Sequence, residues 1–261
     1  MKALSMLCFN SRSFVIALLA VVLFHPPEIH AGSRRFTFLY EATTAAPRSV
    51  EIENWVTWST RAHDAPGFNR IDFRHEIEIG LTDRLQAGFY VADWTWLNDP
   101  STRTNTTRYT DNALELIYNL TNPVADPVGS AIYGEIRKGG EFLELEGKII
   151  LQKNIGRWVF ASNTTIEAKW EGEHLSENGG EFSQALGVSY EFSPHFLVGA
   201  ELLYEVDLPG WAGAANQPVR IGPNLSYRHG AWWVTVTPMV QVTRLSDEPN
   251  LEVRAIFGVG F

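Results

Sequence analysis

Along most of this chain, apolar and polar residues alternate one by one. The stretch "IDFRHEIEIGL" puts Ile71, Phe73, Ile77, Ile79 and Leu81 on one face and Asp72, Arg74, Glu76 and Glu78 on the other. "FLELEGKIILQ" sets Leu143, Leu145, Ile149 and Leu151 against Glu144, Glu146 and Lys148. "WWVTVTPMVQVT" and "HFLVGAELLYEV" repeat the pattern. A period of two is the signature of β-strands with two unlike faces, and helical periodicity is nearly absent. The pattern predicts twelve strands, near 50–60, 69–80, 85–96, 108–119, 130–137, 142–152, 157–171, 181–191, 196–206, 219–227, 231–243 and 251–261. Most run longer than the five or six residues usual in soluble sheets. They suit the roughly 9–11 residues that a tilted strand needs to cross a bilayer. Two residues interrupt the pattern. His75 falls on an oily face, which points to a register error or a bulge, and Pro238 falls inside a strand, where a bulge is expected.

The connections alternate in length. "LTDR", "KNIG", "FSPH" and "RHG" are tight turns, whereas "RAHDAPGF", "LNDPSTRTNTT", "EGEHLSENGG", "DLPGWAGAANQP" and "RLSDEPN" are long and polar. Short turns at one end and long loops at the other is the outer-membrane barrel pattern. "RKGGE" and "LTNPVADPVG" break the alternation. An even strand number brings both ends of the barrel to the periplasmic side, so "FTFLYEAT" (36–43) is placed outside the ladder, in the lumen or at the periplasmic rim. Trp58, Trp94, Trp96 and Trp170 fall near the long loops; Trp158, Trp232 and Trp233 fall near the tight turns. Two such bands are expected at the two membrane–water interfaces.

The first 31 residues read differently. Lys2 and Arg12 precede the apolar run "SFVIALLAVVLF", which is too short to span a bilayer. "HPPEIHA" follows, so residues 1–31 read as a cleaved signal peptide. The domain plan is then 1–31 signal peptide, 32–49 a periplasmic or lumenal segment, and 50–261 the barrel. Cys8, the single cysteine, leaves with the peptide, so no disulfide or thiolate metal site is expected. Of 21 basic and 30 acidic residues, Lys2, Arg12 and Glu28 are lost, leaving 19 against 29 and a net charge of −10. Such a balance argues against a nucleic-acid partner.

Composition of the polar face decides between a membrane barrel and a soluble sandwich. A sandwich exterior mixes Lys, Ser, Thr and Asn. Here the polar face pairs acids along each strand: Glu51 with Glu53, Glu76 with Glu78, Glu144 with Glu146, Glu201 with Glu205. Bases share that face: Arg74, Arg137, Lys148, Lys169, Arg220, Arg228 and Arg254. Glu115, Glu135, Glu167 and Glu252 add to the acids. These residues are expected to line the lumen, where buried charges require partners. An open pore with this acid excess would favour cations; a fully paired network would lock the lumen shut.

Candidate chemistry is sparse. "EHLSENGG" offers His174, Ser176 and Asn178 for a lipid hydrolase, but in a predicted loop with no oxyanion donor. No metal spacing and no nucleotide loop is seen, so no enzyme, metal or cofactor is expected. Trp211, in the longest loop, is the best candidate for contact with a partner, which keeps a structural or adhesive barrel as the alternative function. In "VRAIFGVGF" the face carrying Phe257, Val259 and Phe261 resembles the C-terminal signal that barrel-insertion machinery reads. "LYEATTAAPRSVEIENWVTW", "VADPVG" and "FSPHFLVGAEL" are similar to small outer-membrane barrels related to the family named for the MetA pathway of phenol degradation. That resemblance implies transport of aromatic compounds. The reading is a transmembrane, antiparallel, up-and-down β-barrel of twelve strands in a bacterial outer membrane, in contact with its lipid, passing an unidentified small solute.

Overall fold

The computed structural model describes residues 34–62 and 64–261; the expected signal peptide lies outside the described residues. Among them the secondary structure is entirely β. The strands are β1 (Val50–Thr60), β2 (Asn69–Gly80), β3 (Leu85–Tyr90), β4 (Trp94–Asp99), β5 (Thr104–Tyr109), β6 (Asp111–Thr121), β7 (Gly129–Gly139), β8 (Phe142–Ile155), β9 (Trp158–Glu171), β10 (Glu177–Ser193), β11 (Phe196–Pro209), β12 (Val219–His229), β13 (Trp232–Gln241) and β14 (Leu251–Gly260). All pair antiparallel, and β1 pairs with both β2 and β14, which closes the sheet. β3 and β4 follow each other along β2, and β5 and β6 are consecutive in the same way, so the ladder segments form twelve staves. The result is a closed twelve-stranded antiparallel barrel.

Its exterior is apolar. Leu114, Leu116, Ile132, Ile136, Leu145, Ile149, Phe160, Ile166, Leu186, Ile221, Leu225 and Phe257 are each exposed, and they occupy the outward positions of successive strands. Their inward neighbours are buried and largely polar, so no second sheet covers the apolar face. An apolar belt of this extent on a closed barrel belongs against hydrocarbon. At the tight-turn rim, Tyr190 meets Trp158 tilted at 4.8 Å and Phe192 edge-on at 4.9 Å, and Trp232 sits 5.4 Å from Tyr227 and 6.3 Å from Phe257. This arc is one interfacial girdle.

Three expectations are corrected, and the bulge expected at His75 lies on the strand opposite it. Trp233 is not in the girdle; it is fully buried inside the barrel, donating its indole N–H to Glu51 at 2.5 Å. Gly258 makes room for it, since a Cβ there would lie 2.3 Å from the ring. Pro238 needs no bulge: the β12–β13 register is the same on both sides of it. That register sets Pro238 opposite Pro223, so both residues lacking an N–H share one gap in the ladder. His75 is also in register, opposite Asn54 on β1, whose Oδ1 lies 2.9 Å from its Nδ1. The irregularity is across the other ladder, where three residues (91–93) face Arg74 and His75, a β-bulge between β3 and β4. Finally, the loops are shorter than expected. β4 and β5 pair to Asp99 and Thr104, and β10 begins at Glu177. Apolar patterning ends with the hydrocarbon, but backbone pairing continues past it.

An outward mid-barrel position should reject charge. We expect Leu116→Lys to destabilise the barrel in lipid vesicles by about 2–4 kcal/mol and Thr107→Lys, on the outward face beyond the belt, by about 1 or less. Denaturant unfolding in vesicles measures both; equal costs would contradict the assigned faces.

Candidate functional site

The lumen is built in two halves. In the half nearer the tight turns, many inward positions are apolar or uncharged polar, among them Ile117, Ala131, Ile150, Val159, Leu203 and Met239 with Gln86, Asn119, Gln152, Asn163 and Asn224, while Glu51, Glu53, Glu76, Glu78 and Glu201 are the charged side chains buried beside them. Residues 34–46 occupy this half. Phe36 and Leu39 are buried against Val159, Ala161, Ala185, Leu203 and Met239; Ala42 is buried against Ile117, Ala131, Tyr133 and Ile150. Gly187 admits the first group, because a Cβ there would meet the Phe36 ring at 2.7 Å. Burial of Phe36 and Leu39 is worth roughly 1.5–3 kcal/mol each.

The segment has no ladder of its own, so wall side chains take up its backbone. The Glu201 carboxylate accepts from the Thr37 and Phe38 N–H groups, the latter at 2.7 Å. Asn163 accepts from Tyr40 N–H at 2.6 Å and donates to Tyr40 C=O at 3.0 Å. Gln152 and Asn119 satisfy the two sides of Ala42, Gln86 accepts from Ala45 N–H, and Asn224, Ser226 and Thr235 donate to the carbonyls of Arg34 and Arg35. These contacts run round the wall from β13 through β11, β9 and β8 to β3. Within the segment, the charge of Glu41 holds the Arg35 guanidinium above its ordinary pKa, against the opposite pull of burial.

The other half, nearer the loops, is charged. A cavity of about 570 Å³ is lined there by Arg74, Asp93, Arg137, Glu144, Glu167, Lys169, Glu205, Glu252 and Arg254, among others. Arg74 binds Asp93 at 2.8 Å and Glu135 at 3.4 Å. Arg137 reaches Asp111, Glu135 and Glu144 at 3.2–3.3 Å, and Lys169 reaches Glu144 at 3.2 Å. Lys148 pairs with Glu146 at 2.6 Å, and Arg220 with Glu205 and Glu248. A second cavity, about 370 Å³, opens at the turn rim and is lined by Arg34, Tyr40, Glu51, Glu53, Glu78 and Arg228. The two cavities share no lining residue; Glu76, Tyr90, Glu115, Tyr133 and Glu201 line neither.

Register adds what the sequence could not show. Glu78 stands opposite Glu51 on β1 and Gly88 on β3, and Gly88 stands opposite Glu115. Glu115 faces Glu135, which faces Glu146, then Glu167, then Glu181, then Asp207. The inward acids thus form one row across neighbouring strands, climbing from the turn rim to the loop rim. Directly opposed like charges destabilise a sheet. The sequence reading missed Trp55, Tyr90, Tyr133, Glu181 and the wall amides, although their inward parity could have marked them. It brought His174, Ser176 and Asn178 forward, but all three are exposed at the β9–β10 tip and no hydrogen bond joins them among the described residues. Trp211 is half-exposed and lies over Gly180. Among the described residues there is no cluster of three or more potential metal ligands.

A family model described as "Family of unknown function (DUF6662)" matches residues 28–247. A search of curated proteins finds no match. Three solved structures share the fold. The COG4313 outer membrane channel from Pseudomonas putida F1 is 11% identical with a TM-score of 0.65, covering 87% of this chain and 100% of that one. The NanC porin is 11% identical with a TM-score of 0.56, covering 80% and 98%. The KdgM porin in complex with disordered oligogalacturonate is 12% identical with a TM-score of 0.50, covering 82% and 98%. The resemblance to the MetA-pathway family is not confirmed by these matches. An apolar belt, an aromatic girdle and the fold of outer-membrane channels place the chain in a bacterial outer membrane.

Glu201 anchors the lumenal segment. Its loss should leave two buried N–H groups without acceptors, at a cost of about 1–3 kcal/mol. We expect Glu201→Ala to speed tryptic cleavage after Arg34 and Arg35 in the folded barrel by about tenfold or more. Cleavage at the wild-type rate would show that the segment is held by other contacts.

Proposed function

The chain belongs to the DUF6662 family of unknown function, and we propose that it is an outer-membrane channel for small cationic solutes, closed by its own N-terminal segment. One observation carries the reading: the row of opposed acids that joins the two cavities along the wall. Of the nineteen charged positions singled out from the sequence, twelve are acidic and seven basic. A wall of like charges in register costs stability, which is reasonable where cations are to be attracted along it. The same wall repels a polyanion such as the oligogalacturonate held by the KdgM porin, so the solute class is expected to differ from that porin's.

Residues 34–46 account for closure. They bridge the turn-side half of the barrel, where the aliphatic wall residues serve as a seat for Phe36, Leu39 and Ala42. Passage then requires the segment to withdraw, and the turn rim, where it joins β1, is the side to which it can retract. Among the described residues no catalytic constellation competes with this reading. The exposed His174, Ser176 and Asn178 lack the contacts that activate a nucleophile.

Planar-bilayer recording tests the proposal. We expect the wild-type barrel to conduct rarely and a variant lacking residues 34–46 to conduct steadily, with a reversal potential favouring potassium over chloride. Glu135→Gln, Glu146→Gln and Glu167→Gln together should shift that reversal potential toward zero. A deletion variant that is folded but silent would overturn the channel; one that prefers chloride would overturn the solute class.

A further inference from the structure

The N-terminal segment places one side chain where a solute would sit. Arg34 Nε donates to Glu53 at 2.8 Å, and its Nη2 lies 3.6 Å from Glu76 and 3.8 Å from Glu78. Its guanidinium carbon is 4.8 Å from the Trp55 ring and 4.5 Å from the Tyr40 ring. Glu53, Glu76, Glu78 and Trp55 all belong to the wall; only Tyr40 travels with the segment. Acids on one side and aromatic faces on the other make the arrangement by which proteins bind organic cations.

The site has spare binding capacity. Glu76 is fully buried, and among the described residues neither of its carboxylate oxygens has a hydrogen-bond partner. Glu76 stands opposite Glu53 in the β1–β2 ladder and lies over Gly88, where a Cβ would come within 2.3 Å of its oxygen. Buried charges are normally paired and hydrogen-bonded. Glu76 instead faces the Arg34 group at a distance that leaves its donors unshared. Two more guanidinium groups approach the same indole, Arg74 at 5.9 Å and Arg254 at 6.0 Å, so Trp55 is ringed by cations. The site is reached from the turn-rim cavity, which Arg34, Glu53 and Glu78 line.

We infer that Glu53, Glu76, Glu78 and Trp55 form a binding site for a small organic cation of the guanidinium or primary-ammonium class, and that Arg34 is its built-in occupant. The inference rests on the channel reading for its physiological meaning and deepens it by naming the solute class. A solute guanidinium and the Arg34 side chain compete for one site. Binding of the solute expels Arg34, and with it the ion pair that fastens the start of the segment.

Chemical rescue tests the site without reference to conduction. The full chain carrying Arg34→Ala is refolded in detergent, and tryptic cleavage after Arg35 and the thermal midpoint are followed with added guanidinium or methylguanidinium chloride. Sodium chloride at equal ionic strength is the control. We expect Arg34→Ala to be cleaved faster than wild type, and guanidinium at roughly millimolar concentration, the affinity typical of so small a ligand, to restore protection by about tenfold relative to sodium. Wild type, its site already filled by Arg34, should gain no protection. Glu53→Gln with Glu76→Gln, added to Arg34→Ala, should abolish the rescue. Guanidinium acting no better than sodium, or equally well on the triple variant, would overturn the site. Should Arg34→Ala fail to fold, Arg34→Gln, which keeps a polar side chain of similar reach, carries the same comparison. Rescue with a silent deletion variant would keep the site and remove the channel; steady cation conduction without rescue would do the reverse.

Discussion

A stretch of irregular backbone inside a barrel presents N–H and C=O groups that neither water nor a ladder can satisfy. Everything in the lumen's turn-side half follows from meeting that demand. The wall answers with side chains of fixed geometry: the paired donor and acceptor of Asn163 for Tyr40, the carboxylate of Glu201 for two successive N–H groups, and Gln86, Asn119, Gln152 and Asn224 for the rest. Without the segment these wall groups would lose the partners it supplies. The two are mutually specified, and this is why aliphatic residues can stand among them on a face that is otherwise polar.

Electrostatics is the second constraint. Placing glutamates opposite one another on five neighbouring strands, from Glu115 to Glu181, works against the fold. Compensation comes from bases two positions along three of these strands: Arg137 beside Glu135, Lys148 beside Glu146, Lys169 beside Glu167. The compensation is incomplete where Glu53, Glu76 and Glu78 meet, and there the segment supplies Arg34. The segment therefore fills space in one place and balances charge in another, and the two roles fall on different residues.

Much of the barrel was legible because each outward residue answers only to hydrocarbon. Leu143, Leu145, Ile149 and Leu151 alternate with Glu144, Glu146 and Lys148 whatever their neighbours do, so face, strand number and closure could be read locally. Strand ends could not. The β4–β5 tip is polar throughout, and only cross-strand hydrogen bonds show that Asn105 is paired with Asn98. Pro238 looked like a defect alone; register gives it Pro223 as a partner. Trp55 and Trp233 show the limit of composition as a guide, since a tryptophan in a membrane strand can face either way and parity decides. The row of acids was present as separate pairs, but its continuity is a property of register, which no single strand contains.

The segment is made before any of the wall that receives it. Thr37 and Glu201 are 164 residues apart, and Arg34 and Thr235 are 201 apart. Contacts so distant in sequence form late, because the intervening chain must be ordered first. The strands from β3 to β13 must exist, and β14 must have met β1, before residues 34–46 find their acceptors. The earliest part of the described chain to leave the ribosome is thus the last to acquire structure, and until then the nascent barrel stands with its bore unobstructed.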